Sequence, residues 1–344
     1  MLTRKLLGLF LSLLLCSALV ADDSAVLNPK HPERYVVVEG DTLWDIAARF
    51  LRDPWLWPEV WHANPEIANP HLIYPGDIIS LVYVDGKPRL TLQRTGRPTV
   101  KLSPQARVES LDTAIPTIPT DAIKQFLSRT RIVTDEEIAQ APYIVESAEE
   151  HLATAAGHRV YVRGLNSSDR TRFGVFRTGE IYRSPSYKEP LGREAVYLGE
   201  ARAQQFGDPA TFMLTSSTRE SLIGDRLFPL DDEIIPHFVP HAPQHPVEGH
   251  IISVLDGVSQ IGQHQVVVVD LGARDGMERG HVLAIHQAGP MIRDTVSDKR
   301  NELVKLPDER AGVLMIFRTF ERVSYALVMN ITRPVHVLDM VRNP

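Results

Sequence analysis

The sequence predicts an α+β protein in which a small βααβ domain precedes a mainly β region made of two similar tandem units. Three observations lead to this prediction. A strand-like and a helix-like apolar pattern stand side by side near the amino terminus, strand-like runs dominate after position 157, and part of the β region repeats itself. A chain of 344 residues is long enough for two or three domains.

Residues 1–21 have the pattern of a signal peptide. Arg4 and Lys5 precede an apolar run, and small residues such as Ala21 suit cleavage. The run is shorter than the about 20 residues that a membrane-spanning helix needs, so we expect an exported mature chain without a transmembrane segment. Cleavage also removes Cys16, the only cysteine, which excludes disulfides and cysteine nucleophiles. Lipidation of Cys16 is the alternative, although Leu15 suits it poorly.

The amino-terminal domain is predicted over residues 33–83. It begins with a strand, because residues 35–38 are β-branched or aromatic. Gly40 ends this strand, and Thr42 with Asp45 has the spacing of a capping box at the start of a helix. The apolar side chains that follow recur at the spacing of one helix face.

The second half of this domain is predicted to contain another helix and another strand. The helix covers residues 60–63 and ends before Pro65, because the residue before a proline avoids helical backbone. Residues 78–82 favour the strand. If the two strands pair antiparallel, the turn at Gly40 lies beside the loop 64–74, and the N–H groups at the helix start stay available to a ligand.

The rest of the chain is divided by composition and by apolar pattern. We predict a Pro-rich connector with short helices over 84–156, a first β unit over 157–230, a Pro/His-rich linker over 231–248 and a second β unit over 249–344.

The two β units share a degenerate repeat. Six residues recur unchanged 106 positions later, and they are His158, Val160, Val162, Leu165, Asp169 and Gly174. Three more recur 114 positions later, and they are Thr218, Arg219 and Asp225. Leu338 stands where the first copy has Gly224, which leaves the conformation of that closing turn open.

The sequence predicts neither an enzyme nor a nucleic-acid partner. The formal charge of −6 disfavours a phosphate-backbone binder. The best set of possible metal ligands lies in and beside the linker, at His237, His241, His245 and His250. Prolines between these residues prevent one helix face from carrying them, so we expect a solvated spacer and neither metal nor cofactor. A serine-hydrolase elbow is missing, whereas paired carboxylates for glycoside cleavage stay open.

The stretch YVVVEGDTLWDIA at 35–47, followed by Asn64-Pro65 and by IYPGD at 73–77, resembles a LysM domain. That family has a βααβ fold and binds glycans that contain N-acetylglucosamine, as peptidoglycan does. The resemblance implies a glycan groove with Gly40, Asp41, Thr42 and Leu43 on one side and with Asn64, Pro65, Glu66 and Ile67 on the other. The Trp-rich segment 53–61 is longer than the usual link between the helices.

The whole order of segments resembles the TsaP family of type IV pilus secretin-associated proteins, whose carboxy-terminal region is similar to the flagellar protein FlgT. The runs at 100–104, 141–145 and 317–328 add to this resemblance. It implies a non-catalytic periplasmic adaptor that binds peptidoglycan and anchors an outer-membrane secretin in the cell wall. The alternatives are a LysM-targeted cell-wall hydrolase and an adaptor for a flagellar or type II secretion assembly.

Overall fold

The structure is a computed structural model. It describes residues 27–61, 72–94, 114–128, 130–149, 151–165, 170–186, 188–230, 239–255, 260–295 and 302–344. The predicted signal peptide lies outside these residues. Within them, no helix is long and apolar enough to cross a membrane.

The predicted α+β class is wrong, because the fold is mostly β. Of the described residues, 48% are in β structure and 12% in helices. The longest helix has nine residues, and the stretch predicted as a connector with short helices also supplies three strands. One of them shows why: its apolar side chains Pro88, Leu90 and Leu92 alternate with polar ones, which is the period of a strand.

The described helices and strands follow one another along the chain. The helices are α1 Leu43–Phe50, α2 Trp57–Val60, α3 Thr120–Ser128 and α4 Asp135–Gln140. The strands are β1 Arg34–Val36, β2 Ile78–Val84, β3 Lys87–Gln93, β4 Arg131–Val133, β5 Tyr143–Ser147, β6 Arg159–Arg163, β7 Arg172–Arg183, β8 Pro190–Gln205, β9 Ala210–Ser217, β10 Arg226–Pro229, β11 Glu248–Val254, β12 Gln260–Ile261, β13 Val266–Val269, β14 Val282–Gln287, β15 Met291–Arg293, β16 Leu303–Lys305, β17 Glu309–Thr319, β18 Ser324–Ile331, β19 Val335–His336 and β20 Met340–Arg342.

The chain forms two compact units, which meet in sequence between Ile115 and Pro116. The first unit has a three-stranded antiparallel sheet in the order β1-β2-β3. Helix α1 covers its core with Leu43, Ile46 and Phe50, whose exposed fractions are 3% or less. The third strand extends this domain beyond the predicted boundary at position 83.

The Trp-rich segment belongs to the core of the first unit. A short 3₁₀ turn at Pro54–Leu56 leads into α2, which begins and ends earlier than the sequence predicted. The Trp57 side chain is buried and meets the Trp61 ring edge to face at 6.1 Å. Trp61 also forms a β-bridge with Leu90 of β3. The length of the segment therefore lets it reach the third strand.

The second unit contains two rings of six strands. The first ring runs β8-β7-β10-β5-β6-β9, is closed by pairing between β8 and β9, and carries β4 on β8. The second is a closed barrel in the order β11-β13-β18-β17-β14-β20. When the six strands of each ring are numbered by their order in the chain, the two rings have the same cyclic order of neighbouring strands. The second ring also has an inserted hairpin, β15 and β16, between β14 and β17.

The closing turn has the same form in both rings, although Leu338 replaces Gly224. Both residues have a left-handed backbone, with φ of 77° at Leu338 and 92° at Gly224. The Gly224 N–H donates to the Ile144 carbonyl at 2.8 Å, and the Leu338 N–H donates to the Ile251 carbonyl at 2.7 Å. The contacts of the turn therefore outweigh the cost of about 1–2 kcal/mol that a leucine incurs in this backbone region.

The described part of the Pro/His-rich linker is docked on the second barrel. Asn343 donates to the carbonyls of Pro243 and His245, and it accepts from the Val247 N–H at 2.7 Å. His241 pairs with His281 in a parallel β-bridge. These contacts contradict the expectation of a solvated spacer for residues 239–248.

Candidate functional site

The turn between β1 and α1 is built around Gly40 and Asp41. Gly40 has φ of +91°, a conformation that favours glycine, and a Cβ atom there would meet no other atom within 4 Å. The Asp41 carboxylate accepts from the Val38 N–H at 2.9 Å and from the Tyr35 hydroxyl at 3.0 Å. Burial, and then Asp41, raises the pKa of Tyr35. These bonds hold the turn in one shape.

Backbone donors lie at the start of α1, directly after this turn. Thr42 is the N-cap, and its Oγ1 accepts from the Asp45 N–H at 3.1 Å. The N–H groups of Thr42, Leu43 and Trp44 have no hydrogen-bond acceptor among the residues that the structure describes. The first N–H groups of a helix cannot be paired within the helix and need another acceptor, which the oxygen atoms of a ligand can supply.

A second turn, Pro75–Asp77, is hydrogen-bonded to Val37, which lies between β1 and the Gly40 turn. The Val37 N–H donates to the Asp77 carbonyl at 2.9 Å, and the Gly76 N–H donates to the Val37 carbonyl at 2.8 Å. The buried Asp77 carboxylate accepts from the Tyr74 N–H at 3.0 Å. Asp77 fixes this turn, and its position directly after Pro75-Gly76 in a turn sequence is the signal that could have identified it.

An exposed apolar residue lies close in sequence to each of these two turns. The side chain of Val38 is 52% exposed beside the Gly40 turn, and that of Leu72, before the second turn, is 43% exposed. Backbone donors next to exposed apolar groups suit a saccharide, because a sugar offers hydroxyl and amide groups together with apolar ring carbons and acetyl methyls.

One predicted side of the groove lies within the described residues. Gly40, Asp41, Thr42 and Leu43 follow one another from the turn into α1. Leu43 is 3% exposed and points into the core, so it can offer a ligand its backbone and not its side chain. The residues predicted for the other side, Asn64, Pro65, Glu66 and Ile67, lie outside the described residues.

A separate group of possible metal ligands lies on the second barrel. His241, Glu278 and His281 offer ligand atoms within 4.8 Å of one another. By local spacing, His241 belongs with the other histidines in and beside the linker. His237 lies outside the described residues. The partners of His241 are about 40 residues further along the chain, so local spacing in the sequence does not indicate them.

The hydrogen bonds of the His241 and His281 imidazoles favour direct contact between the two rings over a metal centre. His241 Nδ1 lies 2.9 Å from the Val239 carbonyl, so it carries the proton and leaves Nε2 as an acceptor. His281 Nδ1 accepts from the Glu278 N–H at 3.1 Å, which places the His281 proton on Nε2. A metal at His281 Nε2 would need this proton to move to Nδ1 and the bond to Glu278 to break.

Comparison with known proteins identifies the first unit. The family model described as "LysM domain" matches residues 35–82. The Bacillus subtilis (strain 168) protein YqbP, described as an uncharacterized protein, is 35% identical over 60 residues, which cover 14% of this chain and 27% of YqbP. The chain thus spans about a quarter of the length of that relative. Residues 35–82 form a LysM domain, a binding module that supports attachment to peptidoglycan or a related carbohydrate outside the cytoplasm.

Proposed function

We propose that the protein is a non-catalytic periplasmic adaptor, which binds peptidoglycan through its LysM domain and anchors or stabilises the outer-membrane secretin of a type IV pilus. The observation that supports the binding part is the start of α1, directly after the turn at Gly40, where three N–H groups have no acceptor among the residues that the structure describes. The residues proposed to contact the glycan are those predicted from the sequence, namely Gly40, Asp41, Thr42, Leu43, Asn64, Pro65, Glu66 and Ile67.

A matched pair of glycine variants tests the glycan site. Gly40→Val places a β-branched residue at φ of +91°, so the turn must change shape. Gly157→Val creates the same strain at φ of +92° in the second unit, and neither position has another atom within 4 Å of an added Cβ. We expect the full chain with Gly40→Val to lose retention on purified peptidoglycan, while Gly157→Val stays bound. Equal retention of both variants would refute the site.

The proposed secretin partner rests on the resemblance of the chain to secretin-associated proteins. The run at 317–328 supports a shared barrel fold more than a shared contact, because Phe317, Tyr325 and Leu327 are fully buried. The partner therefore has to be sought on exposed side chains. Met291 and Leu303 in the inserted hairpin are 58% and 60% exposed, and they suit replacement by a photo-crosslinking residue.

Crosslinking in cells then names the partner. We expect a crosslinked product that contains the secretin of the pilus. A product that contains a flagellar or type II secretion component would replace this part of the proposal with the corresponding alternative. In either case the glycan site is tested independently by the Gly40→Val variant.

A cell-wall hydrolase is the second candidate, because two imidazoles and a carboxylate are the donors that hydrolytic zinc sites use. A hydrolase releases soluble muropeptides from purified sacculi, and this release should disappear in a His281→Ala variant. The adaptor predicts that the parent chain releases none. Release by the parent and not by the variant would overturn the non-catalytic assignment.

A further inference from the structure

A cleft of about 480 Å³ lies at the end of the first unit that is remote from the Gly40 turn. Its lining includes Leu27, Asn28, His31, Arg52, Tyr83 and Pro88. Tyr83 lies five residues after Ile78 on β2, and Ile78 pairs with Val36 beside the Gly40 turn. At about 3.3 Å per residue, the two places are roughly 17 Å apart along the strand.

One wall of the cleft is fixed by the backbone. Leu27 forms a β-bridge with Leu51, and the Asn28 N–H donates to the Phe50 carbonyl at 2.9 Å. The Asn28 side-chain amide donates to the Ala48 carbonyl at 3.3 Å. These bonds staple the segment before β1 to the end of α1, so the cleft is a preformed part of the domain.

The other side of the cleft carries an aromatic face and a cation. The Tyr83 side chain is 64% exposed, so its ring is accessible to a ligand. Arg52 is exposed and makes no hydrogen bond or ion pair with any residue in the described ranges. The residues that line the cleft include no aspartate and no glutamate, so a carboxylate would meet the Arg52 guanidinium without competition.

We propose that this cleft is a second subsite for peptidoglycan, in which a sugar ring packs on Tyr83 and a carboxylate of the same polymer pairs with Arg52. The inference rests on the proposed glycan-binding function and extends it from one groove to two contact points on one domain. A polymer that occupies both places gains affinity, because the second contact forms at a high effective concentration once the first is made.

Two probes and four variants of the full chain test the subsite. The probes are purified peptidoglycan, which carries carboxylates, and an uncharged N-acetylglucosamine oligomer long enough to reach both places. We expect Tyr83→Ala to weaken binding of both probes by roughly threefold to tenfold. Arg52→Gln should weaken binding of peptidoglycan by roughly tenfold and leave the uncharged oligomer unaffected.

The controls are matched residues of the second unit. Phe206 is an exposed aromatic residue and Arg202 an exposed arginine, so Phe206→Ala and Arg202→Gln should leave binding of both probes unchanged. If Tyr83→Ala and Arg52→Gln bind both probes like the parent chain, the subsite is refuted, whereas loss of binding in Gly40→Val would still support the groove. If Arg52→Gln weakens both probes equally, the carboxylate contact is refuted.

Discussion

Asp225 and Asp339 hold the same position in the two rings and should respond oppositely to the same substitution. Each carboxylate is buried and accepts from the backbone N–H three residues earlier, at 2.7 Å from Leu222 and 2.8 Å from His336. Asp225 also receives two hydrogen bonds from Arg177, at 3.0 and 2.8 Å. Among the described residues, no arginine donates to Asp339.

The difference in stability follows from these contacts. Asp225→Asn removes a bidentate charged pair, and hydrogen bonds to charged groups contribute about 1.5–3 kcal/mol each. Arg177 is 40% exposed, so solvent recovers part of this loss. We expect the free energy of unfolding to fall by about 2 kcal/mol. Asp339→Asn keeps an acceptor for the His336 N–H and removes a buried charge, so we expect a change between zero and a gain of about 1 kcal/mol at pH 7.

The pH dependence of the Asp339→Asn variant gives a second test. Burial raises the pKa of Asp339 above 3.8, so the folded state favours the protonated form. Its contribution to stability is present at acid pH and is lost as the pH rises through the folded pKa. The advantage of Asp339→Asn over the parent chain should therefore grow between pH 3 and pH 7.

Chemical denaturation followed with two spectroscopic probes measures these changes in the free energy of unfolding. All four tryptophans, Trp44, Trp55, Trp57 and Trp61, lie in the first unit, so tryptophan fluorescence reports that unit, whereas far-UV circular dichroism reports mainly the β-rich second unit. Asp225→Asn should move the dichroism transition and leave the fluorescence transition in place. Equal shifts for the two variants would contradict the role assigned to Arg177.

Three further predictions concern the second unit. Burial and then His241 lower the pKa of His281, so the folded state favours the neutral imidazole. Lowering the pH through 6.5 should therefore reduce the free energy of unfolding of the second unit. His281→Gln should flatten this pH dependence, which chemical denaturation measures. Arg318→Ala should lower the free energy of unfolding by about 2 kcal/mol, because Arg318 donates to the carbonyls of Phe126 and Leu127 in the last turn of α3 and of Thr130 after it. Far-UV dichroism measures this change. Gly312→Ala should lower the free energy of unfolding by about 1–3 kcal/mol, because its Cβ would overlap with the Asn330 carbonyl oxygen, and a thermal melt measures this loss.

The histidine prediction can be extended to a second residue, and the other two predictions have controls in the same unit. Burial and then Arg342 also lower the pKa of His286. The double variant His281→Gln/His286→Gln should therefore flatten the pH dependence of the free energy of unfolding further. Arg202→Gln removes an exposed arginine and should change stability by less than about 0.5 kcal/mol. An alanine at Gly262 would meet its nearest atom at 3.8 Å, so Gly262→Ala should unfold near the parent temperature. A melt of Gly312→Ala that matches Gly262→Ala would contradict the close approach of β17 and β18.

The local features of the LysM domain could be predicted from the sequence. Gly40 ends the first strand, Thr42 caps α1, and the apolar face of α1 is buried, because each depends on residues only a few positions apart. The capping detail differed: the Asp45 carboxylate accepts from the Thr42 hydroxyl at 2.7 Å, and no bond to the Thr42 backbone N–H is formed, because aspartate is shorter than glutamate.

By itself, the sequence determined which family the amino-terminal domain belongs to and that the carboxy-terminal half repeats part of its pattern. Only the tertiary structure decided that β3 joins the LysM sheet, that each ring closes, that His241 meets His281, and that Leu338 adopts the backbone of Gly224. The physical reason is the range of the contacts. A cap or a turn is stabilised within four residues, whereas strand pairing and ring closure depend on segments that are distant in sequence, whose apolar patterns do not state which partner they choose.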